Sequence, residues 1–318
     1  MSTSPPSESQ AHEQEEHEHE LGPLAEMVTL RDWLRYAVTR FNRASLHFGH
    51  GCADAYDEAA WLLMHALSLP IGRLEPFLDA CITSEERESL LAVIERRIND
   101  RIPAAYITGE AWLGDFRFHV DERVIVPRSF FAELLGEGLS PWIADELGVE
   151  SALDLCTGSG CLAIVMAHVF PNARITAADL STDALDVARI NVGNYGLEDR
   201  IELIHSDVFE GMEGRRFDLI ISNPPYVTSD AMRRLPNEYR HEPETALAAG
   251  EDGLDIVRRI IADARKYLTP DGILAVEVGY NRHLVDEAFP DLPLVWLSAG
   301  GVDDVVFLLR AGELPGEE

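Results

Sequence analysis

Four consecutive residues, Asn223-Pro224-Pro225-Tyr226, carry the most specific chemistry in the sequence. They follow the apolar run 219–221, and two adjacent prolines suit a rigid loop at the carboxyl end of a strand, where ligands bind in open α/β sheets. A planar NH₂ group is a poor nucleophile because its lone pair is delocalised. The side-chain oxygen of Asn223 and the carbonyl of Pro224 can accept its two N–H bonds while Tyr226 stacks on the planar group. This pattern predicts transfer of a methyl group to nitrogen, catalysed by positioning and polarisation, with no metal and no dedicated base.

A glycine-rich segment predicts where the donor of that methyl group binds. Asp154 ends the first strand of the α/β region, and Thr157-Gly158-Ser159-Gly160 open the helix that follows. Glycines there let the backbone approach a ligand and expose amide groups. The loop fits both NAD and S-adenosylmethionine. Asp154 favours the methyl donor, whose amino-acid end it can meet directly or through water.

Two further acidic residues follow later strands. Asp179 lies about 20 residues past the loop, where a carboxylate accepts hydrogen bonds from ribose hydroxyls. NAD and S-adenosylmethionine both carry such a ribose, and Ser181 or Thr182 can fill the alternative role of helix N-cap. Asp207 follows the third strand and can accept the exocyclic amine of adenine, with Val208 against the ring. Asn223 completes the predicted donor site.

The sequence pattern predicts that the strands and helices that position these residues form an α/β fold. Short apolar runs alternate with helical patterns, and the final two runs are joined by so short a link that they must be antiparallel neighbours. A parallel sheet of seven strands that ends in an antiparallel hairpin is typical of a Rossmann-like class I S-adenosylmethionine-dependent methyltransferase. The seven predicted strands lie at 152–155, 175–178, 201–204, 219–221, 273–276, 294–297 and 305–309.

The chain divides into four predicted regions. Residues 1–22 form a disordered acidic tail, because six glutamates without Lys or Arg cannot bury enough apolar surface. Residues 23–108 form a helical bundle that selects the substrate. Residues 109–128 form a β-hairpin linker, with apolar positions alternating from Trp112 as far as Val126. Residues 129–318 form the methyltransferase domain.

Composition excludes several classes of protein. No apolar run reaches the ~18–20 residues of a membrane helix, and no signal peptide is expected, so we expect a cytoplasmic protein. The four cysteines form no C-x-x-C pair, which argues against a zinc site. The net charge of −30 repels nucleic acids and suits a basic partner, although adaptation to a salty host explains it equally well.

The motifs together resemble the HemK/Prm family of protein-glutamine methyltransferases, over roughly residues 24–310. The resemblance rests on Asp-Leu-Cys-Thr-Gly-Ser-Gly, on Asn-Pro-Pro-Tyr, and on the segments at 105–109, 126–128 and 242–254. It implies that S-adenosylmethionine methylates the side-chain amide nitrogen of a glutamine. By this resemblance, the 157–160 loop, Asp179, Asp207 and Asn223 hold the donor, and residues 223–226 hold the glutamine.

Which substrate a member of that family modifies is indicated by segments that are less specific than the motifs above. Release-factor enzymes typically follow Pro-Arg with Pro-Glu-Thr-Glu, whereas Pro127-Arg128 is followed here by Ser-Phe-Phe-Ala-Glu. Residues 235–243 are similar to the branch that modifies a glutamine of the third large-subunit ribosomal protein, or an assembly intermediate that contains it. We take that protein as the predicted partner and the release factor as the alternative. Arg128 either contacts the substrate backbone or pairs with an acid.

Three other functions compete with this prediction. An adenine-N6 nucleic-acid methyltransferase uses the same four-residue motif but needs a cationic groove, so no nucleic-acid substrate is expected. A non-catalytic assembly factor does not require an intact Asn223 beside Gly158 and Gly160. An NAD dehydrogenase leaves Asn223 to Tyr226 unexplained.

Overall fold

The computed structural model describes residue 24 and residues 26–316 of the chain. The predicted disordered tail at 1–22 lies outside these described residues. The chain forms two compact units, one up to Ile107 and the other from Thr108 onward. In the described part, every helix is too short or too polar to span a bilayer.

Apolar residues at helical spacing build the first unit. Its helices are α1 (Leu30–Arg43), α2 (Ala55–Ala66), α3 (Ser84–Asn99) and the short α4 (Ala104–Thr108), whose last residue belongs to the second unit. Trp33 and Phe41 of α1 pack with Leu62 of α2 and Ile94 of α3 in one buried cluster. Thr83 begins α3 with a capping box, in which its side chain accepts from the Glu86 amide and the Glu86 carboxylate accepts from the Thr83 amide.

Alternating apolar strands and helices build the second unit. Its strands are β1 (Glu110–Leu113), β2 (Phe116–His119), β3 (Ser151–Leu155), β4 (Arg174–Asp179), β5 (Ile201–His205), β6 (Phe217–Ser222), β7 (Leu268–Glu277), β8 (Val295–Ala299) and β9 (Val302–Arg310). Its helices are α5 (Phe131–Gly136), α6 (Cys161–Val169), α7 (Thr182–Tyr195), α8 (Ser229–Met232), α9 (Asp255–Asp263) and α10 (Arg282–Ala288). Short 3₁₀ turns lie at Glu75–Phe77 in the first unit and, in the second, at Glu146–Gly148, Asn237–His241, Glu244–Ala246, Ala264–Tyr267 and Ala311–Glu313.

Seven of these strands form one sheet in the order β5-β4-β3-β6-β7-β9-β8. The five strands from β5 to β7 are parallel, whereas β9 pairs antiparallel with both β7 and β8. The predicted class I methyltransferase fold is therefore confirmed, including its antiparallel end. The chain leaves β3 toward β4 on one side and returns through β6 on the other. The carboxyl ends of β3 and β6 thus border the crevice where open α/β sheets bind ligands.

The predicted hairpin is shorter than its apolar pattern indicated. β1 and β2 pair antiparallel around Gly114-Asp115, but Val124 and Val126 lie beyond the last strand residue, His119. The chain turns at Asp121, whose carbonyl accepts from the Val124 amide, and the Val126 amide donates to the side chain of Glu242. The hydrogen bonds of this segment thus go to a turn and a carboxylate, and its alternating valines are buried without being in a strand.

Candidate active site

A cavity of about 310 Å³ lies at the carboxyl ends of the parallel strands in the second unit. Helix α7 contributes Ala184 to its wall, and the segment 123–129 covers another side. The structure thus brings most of the predicted site residues together around one space. Those that line it are Thr157, Gly158, Ser159, Asp179, Asp207, Val208, Asn223, Pro225 and Arg128.

Three predicted residues lie beside this cavity rather than on its wall: Gly160, Pro224 and Tyr226. Gly160 has a φ of +78°, and a Cβ there would lie 3.1 Å from the Cβ of Ala188 on α7. A glycine is therefore required to bring the loop against α7. Pro224 is buried next to the cavity.

Asp154 lies beneath the glycine loop and is also absent from the cavity wall, so its contact with the donor, direct or through water, stays a prediction. It is fully buried, and its Oδ2 accepts from the Thr157 hydroxyl at 2.6 Å and from the Ala163 amide at 3.1 Å. Its Oδ1 has no hydrogen-bond partner among the described residues. Burial raises the pKa of Asp154 to about 7. The carboxyl therefore holds the loop from below and keeps one unpaired oxygen.

Asp179 closes the loop from the next strand. Its Oδ2 accepts from the Gly158 amide at 2.8 Å, and its Oδ1 accepts from the Ser181 amide at 2.9 Å. Ser181 is the N-cap of α7, so Asp179 is not needed for that role. Burial raises the pKa of Asp179. A carboxylate oxygen can accept a second hydrogen bond, so Asp179 has spare acceptor capacity beside the cavity that it lines.

Asp207 lines the cavity after β5, and Arg259 of α9 donates to its Oδ1 at 2.8 Å. Val208 beside it has a φ of +57°, an uncommon conformation for a β-branched residue. Its side chain is buried and lines the same cavity.

The Asn223–Tyr226 segment follows β6 directly. The Asn223 Nδ2 donates to the Arg128 carbonyl at 3.4 Å, and its Oδ1 accepts from none of the described residues. This hydrogen bond turns the amide so that a free acceptor remains at the carboxyl edge of the sheet.

Two residues hold Tyr226 in place. Asn281 donates through Nδ2 to the Tyr226 carbonyl at 2.6 Å. A Cβ at Gly253, where φ is +78°, would lie 2.5 Å from that carbonyl, so only glycine allows this approach. Burial raises the pKa of the Tyr226 phenol, and the charge of Glu277 adds to the effect. The phenol therefore stays protonated.

An ion pair between Arg128, whose side chain is partly exposed, and the fully buried carboxylate of Glu242 holds the segment that carries Arg128. Both terminal nitrogens of Arg128 lie 2.6 Å from the carboxylate of Glu242, and the guanidinium carbon lies 5.2 Å from the ring centre of Tyr239. Burial alone would lower the pKa of Arg128, but the hydrogen bonds and charge of Glu242 outweigh it and raise the pKa. Of its two predicted roles, pairing with an acid is what the geometry shows; its contact with substrate stays a prediction.

Glu277, at the end of β7, anchors the same segment from its other end. Its Oε2 accepts from the Ser129 hydroxyl at 2.5 Å and from the Phe130 amide at 3.0 Å. The side chain is 1% exposed, and burial raises its pKa to about 7.

Reading the sequence missed one buried polar residue, Asn191 on α7. Its side chain makes three hydrogen bonds, one of them to the Ser159 carbonyl of the glycine loop. The signal was available, because Ala184, Ala188 and Asn191 recur at helical spacing and place one amide on a face of small residues. No group of His, Cys, Asp and Glu able to hold a metal occurs among residues 24 and 26–316.

Two family descriptions match this chain. The family "Methyltransferase small domain" matches residues 140–238, and the family "PrmC N-terminal domain" matches residues 32–109. Among solved structures, a methyltransferase from Pyrococcus furiosus shares 17% identity at a TM-score of 0.44, covering 61% of this chain and 88% of that chain.

Curated relatives are far more similar. A ribosomal protein uL3 glutamine methyltransferase of Neisseria meningitidis serogroup B is 58% identical over 293 residues, which are 92% of this chain and 96% of that protein. Proteins with the same name are 55% identical in Burkholderia pseudomallei and 49% identical in Bradyrhizobium diazoefficiens. They cover 90% and 91% of this chain, and 96% and 92% of their own lengths. The chain therefore belongs to the family of ribosomal protein uL3 glutamine methyltransferases.

Proposed function

We propose that this chain transfers a methyl group from S-adenosylmethionine to the side-chain amide nitrogen of a glutamine in ribosomal protein uL3. The observation that carries the proposal is the Asn223 amide, which keeps an unpaired oxygen where the carboxyl ends of β3 and β6 border the cavity. The curated relatives named for this activity support it. Since the client is a ribosomal protein, we expect the enzyme to act in the cytoplasm.

The donor set suits S-adenosylmethionine. Asp179 has spare acceptor capacity for the ribose hydroxyls, and Asp207 with Val208 offers an acceptor and an apolar surface to adenine. The unpaired oxygen of Asp154 suits the amino group of the donor, through water because Asp154 lies beneath the loop. Bound there, S-adenosylmethionine supplies an electrophilic methyl group on a positively charged sulfur.

The Asn223–Tyr226 segment holds the acceptor. The Asn223 Oδ1 and the Pro224 carbonyl accept the two N–H bonds of the glutamine amide, Pro225 forms part of the wall, and Tyr226 packs against the planar group. A nitrogen held in this way would be presented to the methyl group that the bound donor would supply; the transfer would form an N–C bond and break the S–C bond of the donor. The nitrogen then releases one proton to solvent. Orientation and polarisation together lower the barrier.

The helical unit offers a second surface for the client. Residues 32–109 match a domain that is separate from the methyltransferase match. We propose that the region 23–108 selects the substrate and that the hairpin after it links this region to the catalytic domain. The net charge of −30 suits a basic ribosomal protein as the client.

A transfer assay tests the function. The full chain is incubated with tritiated S-adenosylmethionine and, separately, with unmethylated uL3, release factor, ribosomal RNA and DNA. We expect label in uL3 alone, and peptide mass spectrometry should place one added methyl group on a glutamine. A uL3 variant in which that glutamine is replaced by Glu is the matched control and should take no label. Label in the release factor alone would reassign the client, and label only in nucleic acid would reject the proposal.

A further inference from the structure

We infer that Asn191 is a positioning residue for donor binding, which joins the glycine loop to the β1–β2 hairpin. The inference rests on the donor site proposed above. Asn191 lies on α7, outside the cavity wall, and its side chain is fully buried. It belongs to neither the glycine loop nor the Asn223–Tyr226 segment.

Every polar group of this amide is used. Its Oδ1 accepts from the His119 amide at 2.7 Å, and its Nδ2 donates to the His119 carbonyl at 3.0 Å. The second Nδ2 proton goes to the Ser159 carbonyl at 2.9 Å. An amide has two donor protons and two acceptor sites, so one side chain holds both backbone groups of His119 and also the loop. A buried carbonyl that loses such a donor carries a desolvation cost.

The contact at Ser159 bears directly on the donor site. Ser159 lines the cavity, between Gly158 and Gly160. On the same face of α7, Ala188 packs against Gly160 and Ala184 lines the cavity. These two residues contact the loop and the cavity through small apolar side chains, and Asn191 adds a hydrogen bond to the loop from the same face. Removing this hydrogen bond leaves the Ser159 carbonyl without this donor. We then expect the peptide between Ser159 and Gly160, whose amide still donates to the Thr157 carbonyl at 3.0 Å, to tilt and to displace the adjacent loop amides.

The contact at His119 links the loop to the chain that leads into another part of the cavity wall. His119 ends β2, and the chain continues from it into the segment 123–129, which covers the cavity. β2 pairs only with β1 among the described strands, so its other edge depends on side chains of α7. One amide therefore sets the relative position of two walls of the donor cavity.

The same helix provides a matched control. One turn beyond Asn191, the Tyr195 hydroxyl accepts from the Arg117 amide at 2.9 Å and donates to the Arg117 carbonyl at 3.0 Å. It fastens the same strand to the same helix in the same manner, but no contact joins it to the glycine loop. Tyr195→Phe therefore removes one attachment of β2 to α7 while leaving the Asn191 hydrogen bonds to His119 and Ser159 in place.

Calorimetry with S-adenosylmethionine separates the two roles. We expect Asn191→Ala and the nearly isosteric Asn191→Asp to raise the donor Kd about tenfold, the effect of about one hydrogen bond. Tyr195→Phe should lower the melting temperature but leave the donor Kd within about twofold of wild type. In turnover, the Asn191 variants should raise the donor KM and leave the client KM unchanged. The inference is wrong if the Asn191 variants bind the donor as wild type does, or if Tyr195→Phe weakens donor binding equally.

A measurement on the wild-type protein covers the case in which both Asn191 variants misfold. Donor binding should slow hydrogen exchange at the His119 amide, which Asn191 holds, more than at the Arg117 amide, which Tyr195 holds. Equal slowing at both amides, or none at His119, contradicts the link. Failure of the wild-type protein to bind S-adenosylmethionine at all would instead overturn the proposed function.

Discussion

The role that we propose for Asn223 depends on which of its two polar side-chain atoms is free. Its Nδ2 donates to the Arg128 carbonyl, which leaves its Oδ1 as the hydrogen-bond acceptor that we propose for the glutamine amide. Asn223→Ala removes that acceptor and should cut turnover by about 100-fold, since one lost polarising contact costs a few kcal/mol. Donor Kd, measured by calorimetry, should change little. Asn99→Ala, at an exposed position on α3, is the control and should be fully active; wild-type turnover by Asn223→Ala would remove the proposed role.

Glu277 makes folding stability depend on pH. Burial raises its pKa from the model-compound 4.5 to about 7. Between these values the unfolded chain has lost the proton that the folded chain keeps, so unfolding becomes more favourable as pH rises. Glu277→Gln removes this dependence while keeping an acceptor for Ser129 and Phe130. Urea unfolding from about pH 4.5 to about pH 7 should show wild type losing stability relative to the variant, and parallel curves would contradict the prediction.

At the scale of elements, two buried carboxylates fasten the segment 126–130 that follows the β1–β2 hairpin. Glu242 holds Val126 and Arg128, and Glu277 holds Ser129 and Phe130. Neither carboxylate pairs with the segment as a β-strand would. The segment is therefore held by side chains of residues that lie far along the sequence from it. The wall of the cavity therefore depends on two acidic side chains that are buried next to it.

Arg128→Met leaves the Glu242 carboxylate buried and unpaired. We expect a loss of about 3–5 kcal/mol in the free energy of unfolding, since one charge of a buried pair remains. The double variant Arg128→Met with Glu242→Gln should recover much of this stability, because Gln is neutral and still accepts from the Val126 amide. A client KM that stays high in the recovered double variant is the result expected if Arg128 also touches substrate. A client KM that recovers with stability would limit Arg128 to pairing.

At the scale of the whole molecule, net charge governs association. With 26 basic and 56 acidic residues, the chain should attract a basic client over long distances. Raising ionic strength from about 0.05 to about 0.5 M shortens the range of this attraction, so the client KM should rise several-fold while kcat and the donor KM change little. Activity that increases with salt would favour adaptation to a salty environment as the cause of the charge.

The sequence alone determined the order of the elements and the position of the chemistry along it. Apolar runs, glycines and the two prolines act over a few neighbouring residues. For that reason, the strand ends, the glycine loop and the Asn223–Tyr226 segment were predictable, and the seven-stranded fold was confirmed. The same local reasoning extended the hairpin too far, since alternating valines at 124 and 126 are equally compatible with a buried segment outside a strand.

Only the tertiary structure decided which distant residues meet. Arg128 and Glu242 are 114 residues apart, and Ser129 and Glu277 are 148 apart. No local sequence pattern specifies such a pair. The two residues come into contact, and their interaction stabilises the fold, only after the sheet has formed and water has been excluded. The same holds for Asp154, whose burial beneath the loop no sequence pattern indicated, and for Asn191. A buried polar group takes the partners that folding brings within reach, and those partners depend on the packing of the whole unit.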